Sequence, residues 1–209
     1  MVTRPCPTAV SSVPDGPVGV VLCGGASTRM GTDKALLGPP DAPMAGRVAG
    51  VLRAAGAVEV LLVGGDGPAL GPHGDHWVPD DRPGEGPLAA TATAARVRPG
   101  RALVVCSCDL PFVTEAELIP LVRALDGGAP AAVARVDGRR QWSAVGLSAA
   151  TAAGLGAAVE DGQRALRAAL GDVVRVVAVA RPDRLRDVDR PDELPPDLRP
   201  GGAGPAGPG

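Results

Sequence analysis

The stretch that decides the fold runs from Val18 to Lys34 and reads Val-Gly-Val-Val-Leu-Cys-Gly-Gly-Ala-Ser-Thr-Arg-Met-Gly-Thr-Asp-Lys. It opens with a short apolar run, Val18 to Leu22, which is typical of a fully buried strand. The segment after that run combines glycines and hydroxyls with Arg29 and Lys34. Glycines let backbone N–H groups approach an anion closely, and the two cations add charged donors for phosphate oxygens. The stretch therefore predicts a strand that ends in a phosphate-binding loop.

Two common phosphate-binding motifs are excluded by the spacing within this loop. A Walker A loop has its lysine directly after the second of two glycines, whereas Lys34 follows Gly31 only after two intervening residues. A dinucleotide-binding fingerprint needs a glycine three positions after Gly25, where this chain has Thr28. The loop belongs to another kind of phosphate site.

The composition excludes several classes of protein. The 209 residues carry a net charge of −2, so the chain lacks the polybasic character that nucleic acids and anionic membranes attract. No apolar run approaches the roughly 20 residues of a membrane-spanning helix, and residues 1–17 lack the apolar core of a signal peptide. Four cysteines do not make a disulfide scaffold, and one Phe, two Trp and no Tyr leave few platforms for stacking bases. We expect a soluble cytoplasmic protein that binds neither nucleic acid nor membrane.

Apolar runs that alternate with helix-like segments indicate an α/β fold. Strands are predicted at Val18–Cys23, Val58–Val63, Leu103–Cys106, Ala131–Val136, Ser143–Leu147 and Val173–Val179, and helices at Ala42–Ala55, Leu88–Val97, Thr114–Leu125, Ala149–Val159 and Gly162–Leu170. This order implies βαβ units and a three-layer α/β/α sandwich with a Rossmann-like, mostly parallel sheet. We assign a single domain to residues 17–195. The terminal segments 1–16 and 196–209 are rich in Pro or Gly and are expected to be disordered, because neither can bury enough apolar surface.

A second chemical element stands at the end of another predicted strand. The apolar run from Leu103 delivers Asp109 at its carboxyl end, the edge where ligands bind in open α/β sheets. A carboxylate beside nucleotide phosphates suits Mg²⁺, which takes one or two carboxylates together with phosphate oxygens and waters. The alternative is a strand-terminal Asp that only caps the next turn. Nearby, Cys106 and Cys108 lack the ligand count of a zinc site, so we interpret them as small buried apolar residues.

The glycine-rich loop resembles the signature of the nucleotidyltransferases with a glycosyltransferase-A-like fold, in which a strand runs into Leu-Ala-Gly-Gly-x-Ser-x-Arg-Met-Gly-x-Asp-Lys. This chain has Cys23 in place of the alanine, and it matches the signature at Leu22, Gly24, Gly25, Ser27, Arg29, Met30, Gly31, Asp33 and Lys34. Within that family the chain is most similar to the molybdopterin nucleotidyltransferases, and among these to the molybdenum cofactor guanylyltransferases. The resemblance extends from about Val18 to Leu194.

The resemblance implies an Mg²⁺-dependent enzyme that transfers GMP from GTP to the phosphate of molybdenum-molybdopterin cofactor and releases pyrophosphate. Its catalytic residues would be Lys34, Arg29 and Asp109, and Asp109 would also be the Mg²⁺ ligand. The nucleotide would contact Leu22, Cys23, Gly24, Gly25, Lys34, Asp80 and Asp109.

Two further segments carry the resemblance less completely. The segment Asp80-Asp81-Arg82-Pro83-Gly84-Glu85-Gly86-Pro87-Leu88 is similar to the family's Asp-x-x-Pro-Gly-x-Gly-Pro-Leu, which places the nucleotide contact at Asp80, with Asp81 as the alternative. The segment from Asp187 to Leu194 looks like the family's closing Asn-x-Asn-Thr-Pro motif, but Asp187 and Asp189 replace both asparagines. Those aspartates either act near the metal or only begin a helix, with Asp189 as N-cap.

The identity of the base and the class of function each have an alternative. Gly24-Gly25 favours guanine, whereas Asp187 and Asp189 look more like the cytidylyl pattern, and the nucleotide-reading Asn of the family falls at Gly64. The alternatives are therefore a cytidylyltransferase for the same cofactor or a sugar-1-phosphate nucleotidyltransferase. A third alternative, from another class, is a catalytically silent nucleotide- or cofactor-binding protein, although Lys34 and Asp109 are both retained.

Overall fold

The computed structural model describes residues 16–24, 33–171, 173–188, 190 and 193–199. Its sheet has seven strands. They are β1 (Val18–Leu22), β2 (Glu59–Val63), β3 (His76–Val78), β4 (Leu103–Ser107), β5 (Ala131–Val136), β6 (Arg139–Leu147) and β7 (Val174–Val177). Their order across the sheet is β3-β2-β1-β4-β6-β5-β7. Only β6 runs against its two neighbours, and the other paired strands are parallel. The prediction of a mostly parallel sheet is confirmed.

Helices cover both faces of this sheet. They are α1 (Met44–Ala54), α2 (Gly67–Leu70), α3 (Pro87–Val97), α4 (Glu115–Asp126), α5 (Ala149–Ala153), α6 (Leu155–Glu160) and α7 (Leu166–Leu170). Short 3-10 turns lie at Lys34–Leu36, Gly71–His73, Pro182–Leu185 and Pro196–Leu198. One apolar core joins the sheet to α1 and α4, and a second joins it to α3 and α5–α7. The molecule is thus the predicted three-layer α/β/α sandwich.

The central strands contribute side chains to both hydrophobic cores, because successive side chains of a strand point to opposite faces of the sheet. In β4, Val104 and Cys106 belong to the core under α1 and α4, whereas Leu103 and Val105 belong to the core under α3. All four are buried. This explains why the strand is a continuous apolar run in the sequence rather than an alternating pattern.

The start of α4 follows the predicted capping box. The Thr114 backbone N–H donates to Glu117 Oε2 (3.1 Å), and the Thr114 hydroxyl donates to the same oxygen (2.6 Å). The fixed helix start anchors the segment that connects α4 to Asp109 at the end of β4.

Other predicted boundaries shift for local reasons. The helix expected over Ala149–Val159 is divided at Gly154 into α5 and α6, because glycine weakens a helix interior. The helix expected from Gly162 begins only at Leu166. The sequence pattern did not predict β3, a strand of three residues of which two are exposed.

The expectation that residues 196–209 form a disordered tail is wrong for Pro196–Arg199. Pro196–Leu198 forms a 3-10 turn, and the Leu198 side chain is fully buried. Its apolar surface is removed from water because a small hydrophobic pocket elsewhere in the chain accepts it, which the Pro- and Gly-rich composition alone did not indicate. The domain therefore extends past residue 195, whereas the rest of the predicted tail and residues 1–15 lie outside the described residues.

Membrane-spanning character was also tested on the structure. Among the described residues, no helix combines the length and apolar character that crossing a bilayer requires.

Candidate active site

The candidate site lies at the edge of the sheet where the parallel strands β1, β2 and β4 all end. Leu22, the last residue of β1, pairs with Val63 of β2 and with Ser107 of β4. The ladder continues beyond the strands, since the Cys23 N–H donates to the Val63 carbonyl (2.9 Å) and the Cys108 N–H donates to the Leu22 carbonyl (3.2 Å). Residues that follow these strands are therefore held side by side, as the sequence predicted for Gly24 and Asp109.

A backbone bridge joins the predicted catalytic lysine to the predicted metal ligand. Lys34 Nζ donates to the carbonyl of Val188 (2.9 Å), and the Val188 N–H donates to the carbonyl of Asp109 (3.0 Å). Val188 itself is buried. The closing segment of the chain thus links Lys34 to the backbone of Asp109, although the two residues are 75 positions apart in the sequence.

The turn that carries Lys34 is fixed at its first residue. Asp33 is the N-cap of the Lys34–Leu36 turn, and its Oδ1 accepts the Ala35 N–H (3.0 Å). The aspartate of the Asp-Lys pair in the sequence signature therefore has a local structural role in positioning the lysine.

A cavity of about 400 Å³ opens beside the end of β1. It is lined by Leu22, Gly24, Asp80, Gly84, Gly86, Pro87, Ala90, Val105, Ser107, Trp142 and Ser143. Most of this lining is apolar, with a single carboxylate and two hydroxyls, which is the usual character of a small-molecule site. Sequence reasoning missed Trp142, because its place on the antiparallel strand β6, next to β4, appears only in the sheet order.

The structure separates the two neighbouring aspartates Asp80 and Asp81. Asp80 lines the cavity, and its Oδ2 faces Gly24, where an added Cβ would lie 3.9 Å away. Asp81 instead forms a bidentate pair with Arg96 of α3, with N–O distances of 2.8 and 3.0 Å. Asp80 is therefore the better placed of the two for a ligand in the cavity.

Gly24 and Gly64 are in close backbone contact at this edge. Gly64 has a positive φ of 78°, and a Cβ at that position would lie 3.1 Å from the Gly24 nitrogen. The Gly64 carbonyl accepts the Trp77 indole N–H (2.9 Å). A side chain at position 64 would push directly on Gly24, which gives a steric reason for glycine where the resembling family has an asparagine.

The closing segment is described in part. Asp187 is exposed, and the Arg190 N–H donates to Glu193 Oε2 (3.1 Å). Asp189 lies outside the described residues, so the choice between a metal role and an N-cap stays open. Of the glycine-rich loop, Gly25, Ser27, Arg29, Met30 and Gly31 also lie outside the described residues, and their roles stay predictions.

The residues present fit a magnesium ion better than a zinc ion. No group of three or more potential ligands occurs within the described part of the chain. Mg²⁺ does not need such a group, because one or two carboxylates suffice when phosphate oxygens and waters complete the shell. Asp109, a half-buried carboxylate at the end of β4, meets that requirement.

Three cysteines pack around the same edge as neutral thiols. Cys23, Cys106 and Cys108 are buried and free. Burial raises the pKa of the Cys23 thiol to about 12 and raises the pKa of both other thiols far above the usual range. Nearby acidic groups, including Asp109 beside Cys106 and Cys108, raise these pKa values further. A thiolate is the form that binds metal or reacts, so these residues pack rather than react.

We predict that Cys23, Cys106 and Cys108 do not react with a thiol reagent at pH 8 in the folded protein. Below a raised pKa the thiol keeps its proton, and that pH lies below all three values. The measurement is titration with Ellman's reagent in a Cys6→Ser variant, before and after addition of denaturant. Rapid labelling of the folded variant would contradict the assignment.

Comparison with known proteins identifies the family of the chain. The family model of the MobA-like NTP transferase domain matches residues 19–176. The chain is 34% identical to a probable molybdenum cofactor guanylyltransferase of Opitutus terrae, over 84% of this chain and 85% of that protein. It is 32% identical to the molybdenum cofactor guanylyltransferase of Rhodobacter capsulatus, over 84% and 92% of the two chains.

Solved structures with lower identity share the fold. The molybdopterin-guanine dinucleotide biosynthesis protein A of Archaeoglobus fulgidus superposes with a TM-score of 0.67 at 21% identity, covering 84% of this chain and 93% of that one. A nucleotidyl transferase from Methanothermobacter gives a TM-score of 0.68 at 18% identity, covering 84% and 93%. The match of the family model and the identity to these relatives show that the chain belongs to the MobA-like NTP transferase family.

Proposed function

We propose that this nucleotidyltransferase transfers GMP from GTP to the phosphate of molybdenum-molybdopterin cofactor and releases pyrophosphate. The observation that carries the proposal is the bridge through Val188, which holds Lys34 and Asp109 together beside the end of β1. The names of the two curated relatives support the choice of donor and acceptor.

The described residues divide the binding of the nucleotide between them. The backbone at Leu22, Cys23 and Gly24 approaches the nucleotide closely, as glycine at this position permits. Asp80 accepts hydrogen bonds from the nucleoside in the cavity, where its Oδ2 already faces Gly24. Arg29 and Gly25 belong to the same proposal through the loop signature, with the arginine on the phosphates that leave.

Asp109 is the residue that would hold Mg²⁺, and a bound ion would offset the negative charge of the triphosphate. The ammonium group of Lys34 is tied through the Val188 backbone to the backbone carbonyl of Asp109. In the proposed reaction a phosphate oxygen of the acceptor bonds to the α-phosphorus of GTP as the bond to the β-phosphate oxygen breaks. The acceptor phosphate is already ionised at neutral pH, so no side chain has to remove a proton from it. Positioning and charge stabilisation then supply the catalysis.

A cytidylyltransferase for the same cofactor is the alternative that a specific observation favours. Asp187 and Asp189 stand where the resembling family has its two closing asparagines, and this pattern looks more like that of the cytidylyl enzymes. The proposal of GTP rests on Gly24-Gly25 and on the names of the relatives, and a comparison of nucleotides decides between the two.

The function is tested by incubating the protein with Mg²⁺, molybdenum-molybdopterin cofactor and each of the four nucleoside triphosphates in turn. We expect pyrophosphate release and a guanine dinucleotide product by mass spectrometry with GTP alone. An Asp109→Ala variant, which removes the carboxylate proposed to hold the ion, should release none. Turnover with CTP instead would establish the cytidylyl alternative, and nucleotide binding without any turnover would establish the silent binding protein.

We predict that Lys34→Ala lowers kcat by about 10²–10³-fold, by analogy with the loss of one preorganised donor to a developing negative charge. GTP affinity should fall much less, because backbone groups and Asp109 share the binding of the ground state. Lys34→Arg should restore activity only in part, since a planar guanidinium does not replace a compact ammonium. Single-turnover kinetics measure the chemical step directly. A normal chemical step with weakened GTP binding would make Lys34 a binding residue only.

The neighbouring aspartates provide a matched pair for a further prediction. Asp80→Asn should weaken GTP binding by roughly 10-fold or more, the effect of losing one charge-assisted hydrogen bond. Asp81→Asn, which loses only the exposed pair with Arg96, should leave affinity within about twofold. Titration of tryptophan fluorescence reports both constants, because Trp142 lines the cavity. The reverse ranking would move the nucleotide contact to Asp81.

A further inference from the structure

A third, separate hydrophobic cluster lies apart from the two main cores. Its buried members are Leu37, Met44, Val188, Leu194 and Leu198, and Phe112 packs against them. We call residues 194–199 the C-terminal strap, since this segment supplies two of the buried leucines. Leu198 is the most deeply buried member, with no exposed surface.

The other members of the cluster come from the segments that carry the site. Leu37 directly follows the Lys34–Leu36 turn, and its N–H donates to the Lys34 carbonyl (3.2 Å). Val188 accepts the hydrogen bond of the Lys34 side chain. Phe112 follows Asp109 on the way to α4. The strap therefore packs against every segment that holds the lysine and the carboxylate together.

Leu198 packs tightly against Gly38. Gly38 has a positive φ of 109°, and a Cβ at that position would collide with the Leu198 side chain. Asp197, next to Leu198, pairs with Arg47 of α1, and Arg199 Nε donates to the Leu194 carbonyl (3.0 Å) within the strap itself. The close fit to a glycine and the ion pair with α1 hold Leu198 in the cluster.

We propose that Leu198 is a positioning residue for the transfer reaction, which acts by fixing the turn of Lys34 and the Val188 carbonyl that receives its side chain. The proposal rests on the proposed function for its kinetic readout. The match of the family model ends at residue 176, before this segment. Removal of the leucine would leave the two main cores in place and loosen the support of Lys34.

The first experiment compares Leu198→Ala with Leu155→Ala, a matched control in which an equally buried leucine of α6 belongs to the core on the other face of the sheet. We expect Leu198→Ala to lower kcat about 10- to 100-fold with little change in KM for GTP, since small displacements of a catalytic group have effects of that size. Leu155→Ala should lower the melting temperature and leave kcat within about twofold. The conservative Leu198→Met should keep most of the activity. Equal effects of the two alanine variants on kcat would overturn the proposal.

A double-mutant cycle with Lys34→Ala tests whether Leu198 acts through the lysine. In the Lys34→Ala background, Leu198→Ala should cause less than about a twofold further loss of kcat. A full additional loss would show that Leu198 serves stability or another group. If Leu198→Ala does not fold, the smaller change Leu198→Val completes the same cycle.

A measurement without substrates separates this proposal from the proposed function. Hydrogen exchange of the peptide that covers residues 33–37 reports the Leu36 and Leu37 N–H groups, which donate to Asp33 and Lys34. These amides should exchange faster in Leu198→Ala and at the normal rate in Leu155→Ala. If exchange responds in this way but no nucleotide supports transfer, the reaction is wrong and the positioning contact stands. If transfer occurs and the exchange rates of 33–37 do not change, the positioning proposal is wrong.

Discussion

The site depends on the backbone of one residue, Val188. Its carbonyl accepts a hydrogen bond from the ammonium group of Lys34, and its N–H donates to the backbone carbonyl of Asp109, so this residue links the lysine side chain to the backbone that carries the aspartate. A side chain could have made either bond, but the backbone has no rotamers to lose and its position is set by the burial of Val188. The ammonium group is therefore held in place before any ligand arrives, which suits the proposed catalysis by electrostatic stabilisation.

The rest of the edge is built by close approach of backbones rather than by side chains. Gly24 and Gly64 touch where β1 and β2 end, and the two parallel strands are in register up to that point. Contact this close favours glycine, and the positive φ of Gly64 adds a second reason for it. The cavity next to it is lined largely by glycines and apolar residues, with Asp80 as the one carboxylate among the described lining residues.

Sequence reasoning predicted the parts of this molecule that depend on local pattern. The apolar runs predicted six strands, the Thr114–Glu117 spacing predicted the start of α4, and the ends of the parallel strands placed the glycine-rich loop and Asp109 at one edge of the sheet. Sequence reasoning failed for features that depend on contacts between residues far apart in the sequence. The strand β3 is too short to show a period, and Trp142 reaches the cavity only through the place of β6 in the sheet order. The choice between Asp80 and Asp81 needed the partner of each, and the decisive partner, Arg96, lies on α3.

The composition of the C-terminal segment predicted disorder, but the structure buries Leu198 completely. A Pro- and Gly-rich tail has few apolar groups, so it is expected to be disordered unless one of its side chains is fully buried in a hydrophobic cluster. Burying one leucine contributes about 2 kcal/mol, enough to hold a few residues against a preformed pocket but small beside the two main cores. A cluster of this size can open at a lower free energy than the whole domain. The lysine that the transfer needs is thus supported by one of the smaller packing units of the fold, and its position is more sensitive to Leu198 than the stability of the sheet is.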